Sequence, residues 1–187
     1  MGQNEGTWSI TTRVIVYAAI GAALYGLFNA YSSALAIPVT QNVTIRPHYG
    51  ILTFFGFAFG PVVGFLTGFV GNTIGDQLAY GSAFGSWWWS VANGLAGLLA
   101  GLFPVWMASR MTTTGSKAVT AAVAGIVGTV VGFLFIWIEL VIQPELGFNT
   151  ILFEEYLPVI IGNSIAAAIV TPILVFAWEP LREQLGR

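Results

Sequence analysis

The chain has 187 residues, of which 56% are hydrophobic, 14% aromatic and only 7% charged, whereas soluble domains carry about a quarter charged residues. A net charge of −2 is too small to imply nucleic acid or an acidic surface as a partner, and the absence of cysteine excludes disulfides, thiolate metal sites and a cysteine nucleophile.

The few charges leave long uncharged blocks. Trp87–Met107, Ala118–Ile138 and Tyr156–Trp178 each contain none. At about 1.5 Å per helical residue, each block can cross a hydrocarbon core of roughly 30 Å. The reading is a single all-α integral membrane domain over residues 1–187, a bundle of six transmembrane helices. Residues 1–12 are a polar N-terminal segment and 180–187 a cytoplasmic tail. With no positive n-region and no small-residue cleavage site, the first apolar run reads as a retained helix rather than a signal peptide.

Helix one is predicted from Val14 to about Tyr31. Its alanines Ala18, Ala19, Ala22 and Ala23 form two Ala-xxx-Ala pairs on adjoining faces. Pro38 and Pro47 bracket a polar loop ending in Arg46. Tyr49–Phe59 is apolar but short, and Gly60-Pro61 separates it from Val62–Gly75. Two short helices joined by a tight turn are preferred to one kinked helix, which lipid-embedded chains also tolerate. Gly60, Gly64, Gly68, Gly71 and Gly75 form a stripe suited to close helix packing. Helix four is Trp87–Met107, helix five Ala118–Glu139 and helix six Tyr156–Trp178, with Glu145, Glu154 and Glu155 in the loop between the last two. Lysine and arginine bias then sets orientation. With six spans and the N-terminus inside, Arg13, Arg110, Lys117, Arg182 and Arg187 are cytoplasmic and only Arg46 is external. Five spans with a reversed N-terminus score equally, so charge bias alone leaves the count open.

Polar side chains gather toward the external end, whereas the inner half is nearly pure Gly, Ala, Val, Leu, Ile and Phe. Such a bundle describes a capped cavity rather than a through-pore. Asn72 and Asp76 share one helix face, as do Ser90 and Asn93 with Ser86, and Glu139 with Gln143. Asn163 lies one turn into helix six. Polar groups in lipid face the bundle interior or water. A ligand pocket built from Asn42, Thr44, Arg46, His48, Asn72, Asp76, Trp87, Trp88, Ser90, Asn93, Glu139, Gln143 and Asn163 is one reading. Interhelical hydrogen bonding or headgroup solvation is the other. Trp87, Trp88 and Trp89 suit an interfacial aromatic belt, although one or two can turn inward onto a flat ligand. Arg46 and His48 can meet a carboxylate or phosphate, or simply be solvated and locally bonded.

There is no phosphate-binding G-x-x-x-x-G-K-[ST], no H-E-x-x-H and no G-x-S-x-G. One histidine cannot assemble a usual zinc site. No cofactor is expected, and energy for moving a solute would come from elsewhere.

The run from Ile45 to Asp76, with Phe59-Gly60-Pro61-x-x-Gly64-Phe65 and Gly75-Asp76, and the Trp-rich Gly85–Gly94 resemble the S components of energy-coupling factor (ECF) vitamin transporters. The likeness is greatest to the riboflavin-transporter-like group and extends from about Arg13 to Trp178. The resemblance implies a six-helix, non-enzymatic substrate-capture subunit in a prokaryotic plasma membrane, with both termini inside. It implies as partners a vitamin-like small molecule, a transmembrane coupling protein and two ATPase subunits. It also implies docking through Ala18 and Ala22 or Ala19 and Ala23, where small side chains let a partner helix approach; packing within the subunit is the plainer role. Riboflavin leads as substrate, with cobalamin, a queuosine precursor or a thiamine-related pyrimidine as alternatives. A small intramembrane enzyme and a structural assembly subunit are the readings from other classes.

Overall fold

The computed structural model describes residues 6–32, 44 and 46–184. Among the described residues there are six helices and no strand: α1 (Thr12–Ser32), α2 (Tyr49–Phe59), α3 (Pro61–Tyr80), α4 (Trp87–Trp106), α5 (Thr114–Ile142) and α6 (Gly147–Gln184).

The boundaries have local causes. Gly60 takes φ 101°, a conformation that L side chains rarely adopt, and hands over to Pro61, which needs no amide hydrogen at the first helical position. α2 and α3 are therefore separate helices, as the Gly-Pro pair predicts. Gly81, at φ 71°, closes α3 in the left-handed conformation. Thr113 and Ser116 form a reciprocal capping box that starts α5.

Several expected boundaries are corrected, and α3 runs on to Tyr80 rather than stopping at Gly75. α5 begins at Thr114 and continues past Gly132 through a 3-10 segment, Phe133–Ile138, into a last α-turn, Glu139–Ile142. α6 begins at Gly147 and enters through a π-helical turn, Ile151–Tyr156. Glu154 and Glu155 thus sit on a helix rather than in a loop, and Glu155 is buried. At the other end α6 runs to Gln184, so the expected tail from residue 180 is helical as far as that residue. α1, α4, α5 and α6 are long and apolar enough to cross a membrane, whereas α2 has only 11 residues.

Around the bundle, neighbours run α1–α3–α4–α5–α6, and α2 stands in the middle, touching all five. Eight of its residues are buried, among them Leu52, Phe54, Phe55 and Phe57. The outside is apolar too. Ile161, Ile165, Ile169 and Ile173 form an exposed i, i+4 ridge on α6, and Ile20, Leu24, Leu27 and Phe28 are exposed on α1. In lipid such ridges are solvated, so helix association relies on close packing rather than on burial of oil from water. The glycine stripe provides it. A Cβ on Gly64 would overlap the Gly97 carbonyl of α4, and one on Gly68 would overlap the Asn93 carbonyl. Gly71 and Gly75 instead admit Tyr25 and Asn29 of α1.

The inner half is less uniformly apolar than expected. Thr53, Thr67, Thr129 and Thr171 are fully buried there. Thr53 and Thr171 share a 2.6 Å hydroxyl contact, and Thr129 donates to the Gly125 carbonyl. Thr129 bonds its own helix and so costs little in such a layer, whereas Thr67 Oγ1 has no partner among the described residues.

Candidate functional site

The ends of α3 and α5, the starts of α4 and α6, and Thr44 and Arg46 converge on a cavity of about 360 Å³. Its position follows from the helix ends. Lys117 lies at the start of α5 and Glu139 near its finish, separated by roughly 30 Å of helix. Glu155 opens α6, and Glu179 and Arg182 lie in its last turns. Lys117 and Arg182 both pair with Glu179, the second at 3.2 Å. Cations therefore cluster at one end of the bundle and the cavity opens at the other.

One wall is an amide network on α1, α3 and α4. Asn72 Oδ1 accepts from Asn29, Asn93 and Arg46, each at 3.3 Å. Asn72 Nδ2 donates to Asp76 Oδ2 at 2.8 Å and to Ser90 Oγ at 3.1 Å. Tyr25 donates to Asn93 Oδ1 at 2.7 Å, and Arg46 Nε donates to Thr44 at 3.1 Å. Asn72, Ser90 and Asn93 are almost wholly buried, and every one of their polar groups is engaged in holding three helices in register.

The opposite wall is acidic. Glu139 Oε1 accepts from the indole N–H of Trp88 and from that of Trp89, the latter at 2.9 Å. Glu139 is 2% exposed and Glu155 is 5% exposed, and the two carboxyls interact with each other. The irregular turns aim them. The 3-10 segment before Glu139 and the π-turn holding Glu155 each shift the helical phase locally.

Thr44, Arg46, Asn72, Asp76, Trp88, Glu139, Gln143 and Asn163 line the cavity together. Ser90 and Asn93 do not; they form the layer behind Asn72. Trp87 points away, 39% exposed and packed edge-on against Phe135 and Trp88. His48 also lies elsewhere. Its ring packs on Tyr25 and Phe28 and lines an apolar groove between α1, α2 and α6. Asn42 lies outside the described residues.

Trp89, Tyr80 and Glu155 are among the lining residues that escaped the sequence reading as individual candidates. Trp89 could not be separated from its two neighbours without the helix phase. Tyr80 follows Asp76 by one turn, a spacing that would have found it. Glu155 read as a loop residue because the π-turn has no sequence mark.

The alanines divide sharply. Ala18 and Ala22 are 4% and 3% exposed and face the bundle interior, whereas Ala19 and Ala23 are exposed beside Val16, Ile20 and Leu27. Ala18 and Ala22 are thus already used within the subunit, because their side faces α2 and α3.

Residues 9–179 match the family described as "ECF-type riboflavin transporter, S component". A stretch of 55 residues is 36% identical to UPF0397 proteins of Vibrio atlanticus (strain LGP32), Aliivibrio fischeri (strain MJ11) and Aliivibrio salmonicida (strain LFI1238). That stretch covers 29% of this chain and 29% of each relative. The matched length is thus under a third of these curated relatives. No solved structure matches. The family match spans almost the whole helical bundle, and the chain belongs to that family of ECF transporter S components.

Proposed function

We propose that this protein captures a vitamin or cofactor precursor at the external face of a prokaryotic plasma membrane. It crosses that membrane six times with both termini in the cytoplasm, and it passes its cargo to a transmembrane coupling protein driven by two ATPase subunits. It performs no catalysis itself. The observation that carries the proposal is the polar cavity lined by Asn72, Asp76, Trp88, Trp89, Glu139 and Asn163, which gathers amides, carboxyls and indoles at one end of the bundle, whereas the other end holds Arg13, Lys117 and Arg182 around a second cavity of about 420 Å³. The positive-inside rule supports a cytoplasmic position for the cationic end and hence an external one for the cavity.

A volume of about 360 Å³ falls at the small end of ligand sites. It suits a flat heterocycle between tryptophans and speaks against a corrinoid. Riboflavin is the first candidate because the family's description names it, and a thiamine-related pyrimidine or a queuosine precursor uses similar residue types. The test is purification in mild detergent followed by mass spectrometry of the small molecules released on denaturation. A stoichiometric heterocyclic compound is expected. An empty protein that also binds no vitamin on titration overturns the capture role.

A further inference from the structure

Glu139 and Glu155 are two acidic groups buried side by side, and no cation lies within ion-pair distance of either among the described residues. Lys117 and Arg182 are engaged with Glu179 at the far end of the bundle. Arg46 is held by Thr44 and Asn72 on the other wall. The indole donors occupy only one oxygen of Glu139. Its Oε2 and the Oε2 of Glu155 have no partner beyond the neighbouring carboxyl, and the Nδ2 of Asn163 has none among the described residues, although each is buried. Asn163 is 3% exposed and, unlike the carboxyls, is neutral. All three residues line the cavity. Three incompletely partnered polar groups meet on one wall of the cavity, and burial without compensation is costly, most of all for carboxylates.

We propose that this wall recognises a positively charged nitrogen group with adjacent N–H donors, an amidinium or a protonated aminopyrimidine, seated against Glu139 and Glu155. The inference rests on the capture reading above and narrows its substrate class. Two parallel N–H groups match a pair of carboxylate oxygens, and the charge offsets the repulsion between the acids. Trp88 and Trp89, fixed through their N–H groups, leave ring faces that attract a cation. The Asn163 amide offers a donor for a ring nitrogen beside the charged group. An imide such as riboflavin's fits poorly. It flanks one N–H with two carbonyl oxygens, which would face carboxylate oxygens across the wall.

The test is calorimetric titration of the full chain in detergent with benzamidine, benzamide and benzoate, which share a shape and differ in charge, and with riboflavin. Benzamidine is expected to bind at least about tenfold more tightly than benzamide, and benzoate not at all, since a hydrogen bond to a charged group is stronger than a neutral one. Glu155→Gln and Glu139→Gln are each expected to bring the benzamidine-to-benzamide ratio close to one, with an unchanged unfolding midpoint showing that the variant is folded. Should one variant fail to fold, the other decides. Equal binding of benzamidine and benzamide, a preference for benzoate, or a ratio unmoved in a folded variant overturns the proposal. Tight riboflavin binding alongside any of these leaves the capture role standing while the cationic specificity falls. Failure of every compound, riboflavin included, removes both.

Discussion

Asn72 and His48 were equally visible as polar residues in an apolar sequence, yet the structure uses them differently. Asn72 is on a helix flanked by Gly68, Gly71 and Gly75, and a polar side chain on the close-packed face of a membrane helix has only other helices to bond. Its inward position was therefore readable. His48 precedes α2, where no periodicity applies, and it packs as an aromatic ring with Nε2 lacking a protein partner. Burial pushes its pKa from 6.5 down to about 3, and the nearby Arg46 charge adds to the effect. The sign is that of a depressed group. Below about pH 6.5 the unfolded chain takes up a proton that the folded one refuses. The stability is thus fully present above 6.5 and is lost as pH falls toward 3, by at most about 1.4 kcal/mol per unit. His48→Asn is expected to flatten the fall of the unfolding midpoint between pH 6.5 and pH 4. An unchanged slope would mean that the ring is not held neutral.

At the scale of elements, the Gly60-Pro61 break and the glycine stripe were legible because glycine and proline act through backbone geometry, which the sequence states directly. The entry of α6 was not. Glu154 and Glu155 mark a loop by composition, and a π-turn shifts the phase that periodicity depends on, so only the folded helix reveals that Glu155 faces a cavity. The glycine argument can be measured. A Cβ at Gly97 would overlap the Gly64 carbonyl, whereas one at Gly162 meets no atom within 4 Å. Gly97→Ala is expected to lower stability by about 1–3 kcal/mol through overpacking. Gly162→Ala should leave it unchanged or raise it by up to about 1 kcal/mol, through helix propensity. Thermal unfolding of both variants in detergent checks the contrast, and equal midpoints would refute backbone contact between α3 and α4.

At the scale of the whole molecule, the exposed and buried alanines of α1 separate folding from assembly. Enlarging Ala22 drives a side chain into the bundle, so Ala22→Leu is expected to unfold or misfold the protein. Ala23 stands on the lipid-facing side, where a coupling protein could reach it. Ala23→Leu should keep the fold and ligand affinity but abolish uptake in cells that contain the coupling protein and ATPases. Uptake at the normal rate would move the docking face elsewhere. Sequence reasoning identified both alanine pairs but not which pair was free, because adjoining helix faces become distinct only when a neighbour covers one of them.

The contact between the α3 and α4 backbones also has a mechanical side. Where main chain meets main chain, no side-chain layer can yield, and α3 with α4 forms one stiff plate bearing Asn72, Asp76 and the indoles. The acidic wall hangs instead from irregular turns and the short link between Ile142 and Gly147, a far more compliant mounting. Accommodation of guests of differing size therefore falls on that mounting, and amide exchange should be faster through residues 133–156 than through the plate.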